Sequence, residues 1–141
     1  MLPGWTFNDG PREQPAGKSQ VVRSFARLLA AAEECENAGA KVIFTTPFPR
    51  DAKSMPISHV EPWRWLRREI LSLRNNGETV LGVAALLGSE VNGKLTGTYL
   101  NHFTTDNAHP NDHGHEAIAD LLRVELIQLF DKKRTLTEVE D

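Results

Sequence analysis

Asp106 and His109 are the residues whose types and spacing point most directly to chemistry. An Asp three residues ahead of a His, in a loop leading into a helix, can fold back to accept the imidazole Nδ1 proton. That fixes the tautomer and leaves Nε2 as a general base toward a nucleophile. Pro110 stiffens the turn, and Asn111 or Asp112 is placed to cap the helix that follows. The same pair also fits a capping Asp beside a surface His, and spacing alone leaves both readings open. His102, Asp106, His109, Asp112, His113 and His115 fall within fourteen residues, rich enough in N and O donors for a zinc or nickel site. His109 and His113 are four apart, but the helix is expected to begin only near His113, so they do not share a helical face. A second loop, Trp5-Thr6-Phe7-Asn8-Asp9-Gly10, also carries candidate groups: Asn8 closes a strand and Trp5 is placed to wall a substrate pocket. His59, within a Pro-rich loop, is placed to shape that pocket.

These residues need elements to position them. Leu2 to Phe7 reads as the end of a strand. A helix is predicted from Lys18 to Asn37, where Val21, Val22, Phe25, Leu28, Leu29, Ala32 and Cys35 recur at helical spacing and Gly39 stops the run. Lys41 to Thr46 is a β-branched strand bounded by Pro47. A loop reaches to about His59, and a second helix is expected to start near Glu61 with Pro62 in its first turn. Its stripe is Trp63, Leu66, Ile70 and Leu73, and Asn75-Asn76-Gly77 ends it. Thr79 to Val83 is a third strand, running into a helical turn through Leu87. Gly88 to Thr105 reads as a polar surface excursion, and the last helix as His113 to Phe130. Strands alternating with helices predict an α/β fold with a small parallel sheet covered on both faces, a three-layer αβα sandwich. Such sheets bind ligands beyond the carboxyl ends of their strands, where the Asn8 and His109 loops fall.

Composition narrows the function classes. With 141 residues, 40% hydrophobic, and a net charge of only −3, the chain suits one folded domain and not a disordered one. A pI near 5.9 argues against a nucleic-acid binder. Arg64, Arg67, Arg68 and Arg74, interleaved with Glu61 and Glu69, read as a solvated helix face in preference to a phosphate-binding patch. A single cysteine excludes an intrachain disulfide. The apolar runs are too short to span a membrane, and no signal peptide is visible, so the chain reads as soluble.

The run Asp106-Asn107-Ala108-His109-Pro110-Asn111-Asp112-His113-Gly114 resembles the last motif block of the SGNH (GDSL-like) hydrolases, in which Asp-x-x-His-Pro precedes a Gly and the C-terminal helix. Gly4-Trp5-Thr6-Phe7-Asn8-Asp9 is similar to that family's third block, and Gly39 to Pro47 to its helix-to-strand junction with a Thr-Pro ending. The resemblance implies a flavodoxin-like order, with His109 as base, Asp106 as its orienting partner and the Asn8 amide as an oxyanion-hole donor. It also implies an N-terminally truncated domain over residues 1–131, followed by a charged tail at 132–141. The family's Gly-Asp-Ser nucleophile block is absent from this chain, and none of Ser19, Ser24, Ser54, Ser58, Ser72 or Ser89 has the strand-to-helix elbow that would expose a nucleophile.

The function so implied is hydrolysis of an acyl ester or an acylated carbohydrate, without a cofactor, and with little turnover by this chain alone. The alternatives are a non-catalytic binding or assembly module on the same fold and a small His-rich metal-binding protein. Truncation further predicts an open edge at Leu2 to Phe7, and with it self-association or a partner strand.

Overall fold

The computed structural model describes residues 18–50 and 57–140. The expected strand at Leu2–Phe7, with Trp5, Asn8 and Asp9, lies outside the described residues, as does Ser54.

Helix α1 (Lys18–Asn37) spans the range its periodicity predicts. Strands β1 (Ile43–Thr45) and β2 (Thr79–Leu81) pair in parallel, with Ile43 opposite Thr79, Phe44 opposite Val80 and Thr45 opposite Leu81. Between them runs α2 (Ile57–Ser72), which ends in a 3-10 turn over Leu73–Asn76 and a left-handed Gly77. Side chains alternate across the two strands, and the core divides accordingly. Phe44 and Val80 pack with Val21 and Leu28 of α1 and with Leu66 and Ile70 of α2. Leu81 and Ile43 point the other way, into a cluster with Val83, Leu87, Tyr99 and the stripe Ala117, Ile118, Leu121 and Leu122 of α4 (Asp112–Glu140). The result is an α/β fold, with helices on both faces of a small parallel sheet.

Three sequence expectations are corrected. Helix α2 starts at Ile57, a turn before Glu61, so Pro62 is interior and His59 is helical. Proline is tolerated because its fixed φ suits a helix; the position gives up one backbone bond near an exposed end. Second, Gly88–Thr105 is no surface excursion. Strands β3 (Gly88–Val91) and β4 (Lys94–Tyr99) form an antiparallel hairpin whose Leu95 and Tyr99 are buried. Its two-residue turn is Asn92-Gly93, with φ of +52° and +75°. Positive φ at both positions is what a type I′ turn requires, and Asn-Gly is its favoured sequence. Third, α4 continues past Phe130 to Glu140.

The short helix α3 (Val83–Leu87) is held by the fully buried Thr46, whose hydroxyl accepts the Ala84 amide proton at 2.9 Å and reaches the Leu81 carbonyl at 3.4 Å. No helix among the described residues is long and apolar enough to cross a membrane.

Candidate active site

After β4 the chain makes a 3-10 turn over Asn101–Phe103 and then a tight loop, pinched shut by a bridge between Thr104 and Pro110. Phe103 and Tyr99 pack in one cluster with Phe48, which follows β1, and Val83, which follows β2. The loop therefore stands on the carboxyl-end side of the parallel strands, where α/β sheets bind ligands.

Thr104 organises the loop from inside. Its buried hydroxyl donates to the His109 carbonyl at 2.7 Å and accepts the Asn107 amide at 3.0 Å. With its one proton committed to that carbonyl, its 3.4 Å approach to Asp106 Oδ1 adds little. Asn107 takes a left-handed φ of +62°, which Asn tolerates better than most residues. The chain thereby curls around the Asp106 carboxylate. Oδ1 accepts the Ala108 amide at 2.9 Å and the His109 amide at 2.8 Å, and Oδ2 lies 2.7 Å from His109 Nδ1. The imidazole hydrogen bond, followed by the two amides, holds the Asp106 carboxyl well below the usual carboxylate range. Asp106 therefore stays an acceptor, which favours the Nδ1–H tautomer of His109. The His109 side chain is 79% exposed, and its Nε2 has no hydrogen-bond partner among the described residues.

Two further contacts fix this loop to the fold. Asn111 caps α4, accepting the Gly114 amide at 3.0 Å, while its side-chain amide donates to the His102 carbonyl at 3.1 Å. Gly114 is a point of close packing: a Cβ there would lie 2.8 Å from the Phe103 carbonyl oxygen and 2.9 Å from Pro110 Cβ. On the other side, the Tyr99 hydroxyl approaches the Ala108 carbonyl at 3.4 Å, a long hydrogen bond. Burial, and then the Asp106 charge, push the Tyr99 phenol up to about 12. Tyr99 is the only tyrosine, so tyrosinate absorbance reads it alone. The folded protein is expected to titrate near 12, and an unfolded chain near about 10. Because the folded value is the higher, Tyr99 contributes stability below about 10 that is lost as pH rises through the folded value. A midpoint near 10 with native circular dichroism would show the phenol to be outside the core.

The structure brings Asp106 and His109 together; Trp5 and Asn8 lie outside the described residues. His59 is half-buried on α2, its pKa lowered by burial and then by Arg50; Arg50 also acts on Tyr99. The histidine-rich stretch does not converge, and among the described residues no group of three His, Cys, Asp or Glu is arranged to hold a metal. His102 stacks against Phe103, and His113 and His115, two apart on a helix, diverge. The Ser89 hydroxyl is tied to the hydroxyls of Thr96 and Thr98, and Ser72 donates to the Glu69 carbonyl at 2.6 Å. No serine or threonine hydroxyl among the described residues meets His109 Nε2. Thr104 and Tyr99 escaped sequence reasoning. A Thr two residues ahead of an Asp is a local signal for such a hydroxyl-anchored turn; Tyr99 carried none beyond its place in β4.

Two solved structures share this fold. One is a proposed acylhydrolase from Bacteroides fragilis and the other a GDSL-like lipase from Bacteroides thetaiotaomicron. Each is 18% identical with a TM-score of 0.64 over 77% of this chain. The chain covers 52% and 53% of their lengths, so it spans about half of each. No family model and no curated protein matches the sequence.

Proposed function

We propose that the Asp106–His109 pair is the base and orienting partner of an SGNH-type site for hydrolysing acyl esters, including those of acylated carbohydrates. The observation that supports this reading is the carboxylate clamp. Asp106 accepts two backbone amides through one oxygen and the imidazole through the other, leaving Nε2 at an exposed edge. A capping Asp beside a surface His has no need of that second oxygen on the ring.

In the reaction His109 Nε2 takes the proton of the attacking hydroxyl or water as it adds to the ester carbonyl. The imidazolium so formed is stabilised by Asp106 and returns the proton to the departing alkoxide. Asn8, by resemblance, supplies an amide to the oxyanion. No serine or threonine hydroxyl among the described residues meets His109 Nε2, so this reading takes water as the partner the pair activates and expects slow turnover.

The orientation of His109 tests the assignment independently of rate. Nitrogen-15 NMR of the histidine side chains is expected to show neutral His109 as the Nδ1–H tautomer, with a strongly deshielded proton that disappears in Asp106→Ala. A neutral His109 carrying its proton on Nε2 would remove the general-base role.

A further inference from the structure

A second polar site lies at the far end of the β3–β4 hairpin. Lys94 and Tyr99 are the two ends of β4, about 17 Å apart along an extended strand. The turn end therefore stands well away from the Asp106 loop. There α2 and the hairpin enclose a cavity of about 250 Å³, with Trp63 and Leu95 as its buried wall.

The charges around this cavity do not cancel. Among the described residues, Arg64, Arg67, Arg68 and Lys94 face it together with two carboxylates, Glu61 and Glu90, an excess of two positive charges. Glu61 is already engaged, accepting from Arg64 at 2.8 Å. Arg64 is also fixed from behind, since its Nε and a terminal nitrogen donate to the Leu95 carbonyl at 3.3 and 3.0 Å. A guanidinium held this way has lost its side-chain freedom before any ligand arrives. Arg67 is the unusual member. It is half-buried, and its Nε is fully buried and, among the described residues, has no hydrogen-bond partner. Burial lowers the Arg67 pKa, the Glu90 charge opposes that, and Arg74 adds to it.

We infer that this cavity binds a phosphoryl group or a free sulfate as the dianion, with Arg64 as a preorganised wall and the cationic ends of Arg67, Arg68 and Lys94 closing around it. A doubly charged tetrahedral group matches the excess charge, and its several oxygens can accept from planar guanidinium forks and an ammonium together. A carboxylate would leave half of the excess charge unmet. The cavity is smaller than ordinary small-molecule pockets, so it suits a headgroup and not an acyl chain or an oligosaccharide.

The test is titration of the full chain by calorimetry at low ionic strength with inorganic phosphate, inorganic sulfate and vesicles containing phosphatidic acid. Saturable binding of phosphate or sulfate is expected, weakened about tenfold in Arg67→Gln by the loss of a charge-assisted donor. It is expected to tighten in Glu90→Gln, an exposed position where removal of a like charge does not threaten the fold. Binding of free anions without vesicle binding identifies a soluble ligand. Vesicle binding that is lost in Arg67→Gln identifies a lipid headgroup. Absence of saturable binding to all three probes overturns the inference. So does affinity indifferent to both Arg67→Gln and Glu90→Gln.

Discussion

Replacing Trp63 by alanine is expected to destabilise the protein by about 3–5 kcal/mol, the range for truncating a fully buried aromatic side chain. Trp63 is 1% exposed and packs with Ala84, Leu95 and Val60, joining α2 to α3 and β4. Its indole nitrogen also donates to the Phe48 carbonyl at 3.1 Å, which anchors the segment leaving β1. Alanine would open a cavity and orphan that carbonyl together. Since domains are commonly stable by only about 5–15 kcal/mol, the variant should approach the unfolding threshold. Trp63→Phe separates the two contributions: it keeps most of the bulk and loses the hydrogen bond, and should cost about 1–3 kcal/mol. Urea denaturation followed by far-ultraviolet circular dichroism measures both. A loss below about 1 kcal/mol in Trp63→Ala would mean that α2 does not seal this part of the core.

How much of this was legible in the sequence varies by element, for physical reasons. The range of α1 was readable because a long amphipathic stripe ends at a glycine, Gly39, that takes a left-handed φ of +91°. The meeting of Asp106 with His109 was readable because it is local: three residues and a turn suffice, with no tertiary contact required. The hairpin was legible in principle, through Asn92-Gly93 and the alternation of Leu95 and Tyr99 with Thr96 and Thr98, but the threonines and Gly97 disguised its buried face as polar loop. The start of α2 was misplaced because Pro62 looks like a first-turn residue and only tertiary packing places a further turn ahead of it. Helix α4 overran its expected end because nothing after Asp131 is a Gly or a Pro, and Lys132, Lys133 and Arg134 are good helix formers. The arginines of α2 read as a solvated face; Lys94 and Glu90 reach them only once the hairpin has folded, which no spacing along one helix encodes.

The second large effect concerns His109. A positioned general base contributes about 100-fold or more to a rate, and an imidazole without its orienting carboxylate loses much of that. Removing His109 should therefore remove nearly all ester hydrolysis above background, while Asp106→Asn keeps the ring but frees its tautomer and lowers the rate by a smaller factor. Neither substitution touches the packed core, since both side chains are more than half exposed. Lost activity would thus not reflect unfolding, and unchanged circular dichroism verifies this.

The most direct measurement is the time course of p-nitrophenyl acetate hydrolysis by the parent chain and by His109→Ala. Water activation by this pair predicts slow, linear release by the parent without the initial burst of an acyl-enzyme, and a fall of about 100-fold toward background in His109→Ala. Hydrolysis by His109→Ala as fast as by the parent would contradict the proposal that His109, oriented by Asp106, is the general base of an ester-hydrolysing site.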